Sequence, residues 1–311
     1  MKFKKAVLVN IQDTHFDKKY WDQIDELVEK RISLSRDDPK LISELKDCDC
    51  LMLGFQVPTD KDIFDAAPNL KLINILATAY GTVNLEIAKQ RGIPVCNLAG
   101  YSTEAVAEFT IAILLFQIRQ LEEGVKRGKA GNYDFEGMSA RELKNSNFGV
   151  VGLGSIGGRV AELAAGFGAN VSYWSRNKKD NPYSYKELES ILSESDYISI
   201  NVAQTPETEN LLNDKTIPLI KSGAVVISTV PPEVVDTNAM ASRLAKGDIT
   251  YISDHGDEMS EENLNKIKQY PNCVLLPAIG FITAEARINK QEIFVGNLKA
   301  ALEQKPQNKV N

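Results

Sequence analysis

The hexapeptide Gly152-Leu153-Gly154-Ser155-Ile156-Gly157 constrains this chain more than any other feature, because of what flanks it. The apolar run Phe148-Gly149-Val150-Val151 leads straight in, and a helical pattern carrying Arg159, Val160, Ala161, Leu163 and Ala164 leads straight out. Glycines at this spacing in a strand-to-helix turn have separate physical roles. Gly152 permits the tight turn, Gly154 lets backbone approach a pyrophosphate, and Gly157 allows the helix to pack closely on the strand. The amides of Ser155 and Ile156 then point at phosphates from the helix N-terminus. The ligand this implies is a dinucleotide; the bland alternative is a glycine-rich turn that binds nothing.

The rest of the chain repeats the strand–helix rhythm. Short Val/Ile/Leu runs at Ala6–Val9, Leu51–Leu53, Leu72–Leu76, Ile93–Cys96, Phe148–Gly152, Val171–Trp174, Tyr197–Asn201, Val225–Ser228, Thr250–Ser253 and Val274–Leu276 alternate with longer amphipathic stretches. That order predicts an α/β protein with mostly parallel, doubly wound sheets. At 311 residues it exceeds what one core usually serves, so two domains are expected. Between the two groups of strands, residues 102–121 form a helix apolar on nearly every face, which requires burial between domains or subunits. Residues 124–147 are polar and glycine-spotted, a surface excursion. A last helix is expected over 284–302; if it returns to the first domain, the division is 1–100 plus 285–311 around a nucleotide domain of 101–284.

Composition excludes several partner classes. The net charge is −6 with both signs interspersed, and no basic cluster offers a footprint for nucleic acid or a membrane surface. The apolar run after Met1-Lys2-Phe3-Lys4-Lys5 is too short for a signal peptide, and 109–118 falls far short of the ~20 residues a membrane span needs. Cys48, Cys50, Cys96 and Cys273 lack metal-site spacing and read as core thiols of a soluble cytoplasmic protein.

The strand after the fingerprint helix bears on cofactor choice. A carboxylate at its end would bind both ribose hydroxyls of NAD, but Val171-Ser172-Tyr173-Trp174 ends at Ser175-Arg176-Asn177-Lys178-Lys179. A hydroxyl and a guanidinium suit a 2′-phosphate, so NADP is favoured and NAD remains possible.

Four stretches together give a family resemblance: 86–109, 148–176, 192–212 with Thr205-Pro206-Glu207-Thr208, and 220–244. Along nearly its whole length the sequence resembles the D-isomer-specific 2-hydroxyacid dehydrogenases. The resemblance implies a Rossmann-type NAD(P)-binding domain inserted in a flavodoxin-like substrate domain. It also implies Thr205, Thr229 and Asp254 as further cofactor contacts, a substrate loop containing Tyr80, Gly81 and Thr82 with Tyr101 nearby, and a homodimer. It breaks at the catalytic groups. The family's substrate-binding Arg is replaced by Pro231 in Ser228-Thr229-Val230-Pro231-Pro232, and its proton-donating His by Ala278 in Leu276-Pro277-Ala278. Five residues after Asp254, where the family keeps a carboxylate, stands Met259, with Glu258 one position short, and Asn201 replaces a further histidine.

A positioned acid is worth ~10²–10⁴ in rate, and proline supplies neither charge nor side-chain donor. Of the two histidines, His15 reads as exposed, while His255 directly follows Asp254. His255 is either a relocated proton donor, oriented by Asp257 or Glu258, or a solvated residue facing away from the site. Tyr80 either donates a proton or packs, as does Tyr101, and the Gly81 and Thr82 amides can hold an anion without Arg. An apolar wall at Pro231 points to a neutral carbonyl or an imine substrate. Two functions stay open: an NAD(P)-dependent oxidoreductase with a non-standard site, and a catalytically silent NAD(P)(H)-binding regulator.

Overall fold

The computed structural model describes residues 1–311, which divide into two compact units: Met1–Ser102 with Thr283–Asn311, and Thr103–Ile282. The first unit holds five strands, β1 (Ala6–Val9), β2 (Arg31–Leu34), β3 (Cys50–Leu53), β4 (Leu72–Ile75) and β5 (Val95–Cys96), all parallel in the order β2-β1-β3-β4-β5. The central strands β1 and β3 read as unbroken apolar runs because both faces are covered, and β4 departs from this only at the buried Asn74. Val7 and Val9 face one core with Leu51 and Ile73, while Ala6 and Leu8 face the other with Met52, Leu72 and Phe294. Phe294 comes from the helix Ala284–Leu302, so the end of the chain supplies one covering layer.

A buried amide network ties that layer to the sheet. Asn74 donates to the Phe294 carbonyl at 2.9 Å, and Asn297 donates to Asn74 Oδ1 and to the Asn97 carbonyl, each at 3.0 Å. Asn308 then donates to Asn297 Oδ1 at 2.9 Å, and Asn311 Oδ1 accepts from the Val95 N–H. Satisfied in this way, buried amides fix one register of the last helix and tail against β4 and β5.

The second unit holds seven strands: β6 (Asn147–Val151), β7 (Asn170–Trp174), β8 (Ser184–Tyr185), β9 (Tyr197–Ile200), β10 (Val225–Ser228), β11 (Thr250–Ser253) and β12 (Cys273–Leu275). They are parallel, in the order β12-β11-β10-β9-β6-β7-β8. The order reverses between β6 and β9, which places a topological switch point at the carboxyl end of β6, where such sheets bind ligands. Adjacent residues again serve opposite cores: Val151, Ile198, Val226 and Tyr251 on one face, Val150, Tyr173, Ile227 and Ile252 on the other.

The long apolar helix runs Thr103–Ile118 and packs on the helix Ser155–Gly166, where Arg159 clasps Glu104 at 2.7 Å. Its burial is one-sided: Ala105, Val106, Thr110, Ile111, Leu114 and Ile118 are buried, whereas Phe116 is 39% exposed. The helix stops because Gln120 adopts a left-handed φ of 51°. The excursion expected over 124–147 is corrected in part, since Leu121–Lys129 forms a second helix. Its acidic first turn and basic last turn complement the helix dipole. Strands β2 and β8 add two sheet edges beyond those the pattern predicts, and no helix is long and apolar enough to cross a membrane.

One ion pair anchors the start of β6. Burial pushes the Asp196 carboxyl up, but the Lys221 ammonium at 2.6 Å and the Asn147 N–H at 2.9 Å outweigh it, and the net shift is downward. A carboxyl held below its unfolded value stabilises the fold above that value and loses the contribution as pH falls through the lowered one. Asp196→Asn is therefore expected to flatten the fall of Tm below about pH 4 relative to the wild type, followed by thermal melts across pH. An identical acid limb in both proteins would exclude the pair as a contributor.

Candidate functional site

The glycine hexapeptide lies at the switch point. Gly152, with φ of 96°, takes the turn out of β6, and a Cβ there would meet Val202 and the Asn201 backbone within 2.9 Å. At Gly157 a Cβ would sit 1.9 Å from the Gly152 carbonyl oxygen, so the helix touches the loop backbone directly. Gly154 differs, since a Cβ there meets nothing within 4 Å. It faces open space, as a backbone that admits a diphosphate must. The helix Ser155–Gly166 has no side-chain cap at its N-terminus, leaving the first-turn amides of Ser155, Ile156 and Gly157 for an external anion. These features fit a dinucleotide.

Beside this loop, β7 is followed by Ser175, whose buried hydroxyl donates to the Asn177 carbonyl at 2.7 Å. Arg176 is open to solvent, with its nearest carboxylate, Glu207 Oε2, at 3.7 Å. The Thr205 N–H donates to the Thr208 hydroxyl at 2.8 Å, which itself donates to the Ala203 carbonyl, so this loop is tied to itself. Thr229, half-buried, continues the chain from β10 into Pro231, where the backbone enters the short helix Pro232–Val234.

After β11 the chain gathers its acidic groups. Asp254 is buried; burial pushes its carboxyl up while the N–H groups of Ile279 at 3.1 Å and Gly280 at 3.0 Å oppose the shift, and the net effect is a raised value. Asp257 accepts from the Ala278 N–H at 2.9 Å, so two carboxylates clamp three consecutive amides after β12. His255 lies between them in sequence, with Nδ1 buried and 3.3 Å from Glu258 Oε1. The two groups are in proximity, but their alignment is not that of a hydrogen bond.

In the first unit, the loop after β4 is exposed from Thr78 to Thr82. Asn97 holds the Thr78 carbonyl at 2.7 Å, the Thr82 carbonyl accepts from the Thr59 N–H, and the Tyr80 carbonyl accepts from the Val83 N–H. The Gly81 and Thr82 N–H groups are not used in fixing the loop. Tyr80 is 41% exposed, whereas Tyr101 packs on the core that also holds Phe294, and burial raises its phenol pKa.

Residues 111–280 match the family described as D-isomer specific 2-hydroxyacid dehydrogenase, NAD binding domain. The chain belongs to that family. It is 34% identical over 299 residues to a glyoxylate reductase of Thermococcus litoralis, covering 88% of each chain. It is also 30% identical over 298 residues to a hydroxypyruvate reductase of Blautia hydrogenotrophica, covering 92% of this chain and 91% of the relative. Among solved structures it superposes on the TT0316 protein of Thermus thermophilus with a TM-score of 0.84 and 31% identity, over 98% of this chain and 100% of that one. This dehydrogenase-family member is therefore an NAD(P)-dependent oxidoreductase of the class acting on CH–OH groups.

One residue turns to a partner other than the one expected, and one escapes a motif reading. Asp257, expected as a partner of His255, gives its carboxylate to the Ala278 N–H instead. Lys179 lies in a polar run with nothing to distinguish it from Lys178.

The glycine geometry gives opposite expectations for two alanine variants. Gly157→Ala should lower stability by ~1–3 kcal/mol, because backbone must move to admit the methyl. Gly154→Ala should melt as the wild type does while losing NAD(P)H affinity, read by fluorescence titration. Loss of stability in Gly154→Ala, or none in Gly157→Ala, would contradict the packing described.

Proposed function

We propose that the enzyme transfers a hydride between NADP(H) and a small carbonyl or imine compound, with the proton handled by His255 rather than by the group the family usually employs. The observation that carries this reading is the placement of the His255 Nδ1 3.3 Å from the Glu258 carboxylate. A carboxylate this close to one ring nitrogen is within reach of accepting its proton after a small rotation, which would orient the imidazole and leave the other nitrogen for proton transfer. Asp257 is committed to the Ala278 N–H, which leaves Glu258 as the orienting group.

The cofactor supplies the hydride; the remaining tasks fall to side chains and amides of this chain. Gly152, Gly154, Ser155, Ile156 and Gly157 hold the diphosphate. Arg176 favours the 2′-phosphate of NADP over NAD, whereas the buried Ser175 hydroxyl is engaged by the Asn177 carbonyl and shapes the loop instead, and Thr205, Thr229 and Asp254 complete the cofactor contacts. Within the first unit, Gly81 and Thr82 have free amides suited to a substrate oxygen, Tyr80 is an exposed phenol in the same loop, and Tyr101 is half-buried against the core that holds Phe294. Pro231 has no donor for a carboxylate, and Ala278 has no proton to give, which moves the reading from 2-oxo acids to a neutral carbonyl or an imine. The four free thiols agree with a reducing cytoplasm. Several apolar side chains of the second unit are exposed, Phe116, Leu121, Val125, Tyr133 and Phe135 among them, which is consistent with self-association, and a homodimer is expected. Light scattering should then read twice the chain mass; a monomer at micromolar concentration contradicts this.

The catalytic assignment is tested by following NADPH oxidation with glyoxylate, hydroxypyruvate, neutral aldehydes and ketones, and cyclic imines. Turnover is expected with a neutral carbonyl or imine. In His255→Ala, kcat should fall ~10²–10⁴-fold with NADPH affinity unchanged, and added imidazole should restore part of it. Turnover confined to the two acids would overturn the substrate reading, and an active His255→Ala would remove its role. Tight NADPH binding with no turnover anywhere would place the chain among silent cofactor readers.

A further inference from the structure

The loop after β7 is built around one residue that the cofactor assignment above does not use. The Lys179 N–H donates to the hydroxyl of Tyr173, a fully buried side chain of β7, at 2.9 Å, and that hydroxyl donates back to the Lys179 carbonyl at 3.0 Å. Asn181 donates to the same carbonyl at 2.8 Å. With its backbone held on both sides, Lys179 reaches across to the neighbouring loop, where its Nζ donates to the Leu153 carbonyl at 2.5 Å. Leu153 is the second residue of the glycine hexapeptide. Because β6 and β7 pair in register, Val151 opposite Trp174, the two loops emerge side by side at one carboxyl edge, and the Lys179 side chain bridges them.

In a Rossmann unit, the adenosine ribose is read where these two loops meet, by the residue ending the second strand. An ammonium spanning them stands beside the place where that ribose is read. It has three N–H donors, of which the Leu153 carbonyl takes one. Arg176, by contrast, is 69% exposed and has a carboxylate, Glu207, at 3.7 Å competing for its charge. Of the two cations, the bridging lysine is the one the fold holds in place.

We infer that Lys179 is a specificity-determining residue that binds the 2′-phosphate of NADP through the donors left free by Leu153. This rests on the reading that the enzyme prefers NADP. NAD carries a hydroxyl at that position and gains little from an ammonium, whereas a phosphate ester gains charge-assisted hydrogen bonds.

The test is fluorescence titration of the full chain with NADPH and NADH, together with competition by adenosine 2′,5′-bisphosphate and adenosine 5′-monophosphate. Wild type, Lys179→Met, Lys179→Arg and Arg176→Ala are compared. In Lys179→Met, the Kd for NADPH and for the bisphosphate should rise about tenfold or more, with NADH and the monophosphate changed less than about threefold. Lys179→Arg should retain much of the preference, which separates charge from folding, and thermal melts confirm that each variant is folded. A wild type that binds NADH as tightly as NADPH overturns the cofactor reading itself. A wild type that prefers NADPH overturns this inference alone in either of two cases: Lys179→Met weakens both cofactors equally, which leaves Lys179 as a brace for the glycine loop, or the preference falls only in Arg176→Ala.

Discussion

Contact between the helix Ser155–Gly166 and the Gly152 carbonyl organises the second unit. With no side chain at Gly157, the helix starts against the loop, and its first amides converge on the space that Gly154 leaves open. The same seating brings Arg159 to Glu104, so the position of the long apolar helix follows from the glycine turn as well. A dinucleotide site and the packing of two helices thus depend on one missing methyl group.

The fold was legible where burial is two-sided. Strands such as Val225–Ser228 and Thr250–Ser253 read directly because every residue must be apolar or small when cores lie on both faces. The edges were not legible. Arg31–Leu34 is only partly buried and alternates weakly, and Ser184–Tyr185 is two residues long. At Ile93–Cys96, the regular strand begins only at Val95, since Pro94 has no N–H to donate to a ladder. The helix Leu121–Lys129 was hidden by two glycines and the absence of any buried face.

The site was legible in proportion to how much of it is backbone. Glycine spacing reports a turn directly, so the fingerprint could be read from the residues alone. Groups that act through side-chain direction could not. Nothing in Asp254-His255-Gly256-Asp257-Glu258 says which carboxylate turns to the imidazole and which to the loop at Ala278, because the short helix over Gly256–Glu258 decides it. Lys178 and Lys179 are likewise indistinguishable until Tyr173 holds one of them. A departure from a family pattern shows which groups have gone, and only geometry shows what stands around the gap.

The buried amide network of the first unit bears on how the protein comes into being. Asn74 and Asn97 find their partners in Phe294, Asn297 and Asn308, 200 residues or more later in the chain. During synthesis the unit begun first is therefore the last to be closed. The nucleotide-binding unit, contiguous from Thr103 to Ile282, emerges whole while β4 and β5 still lack the helix that covers them. Until then the sheet face shared with Phe16, Tyr20, Trp21 and Ile24 is only partly covered, and the helix Ala284–Leu302 completes it.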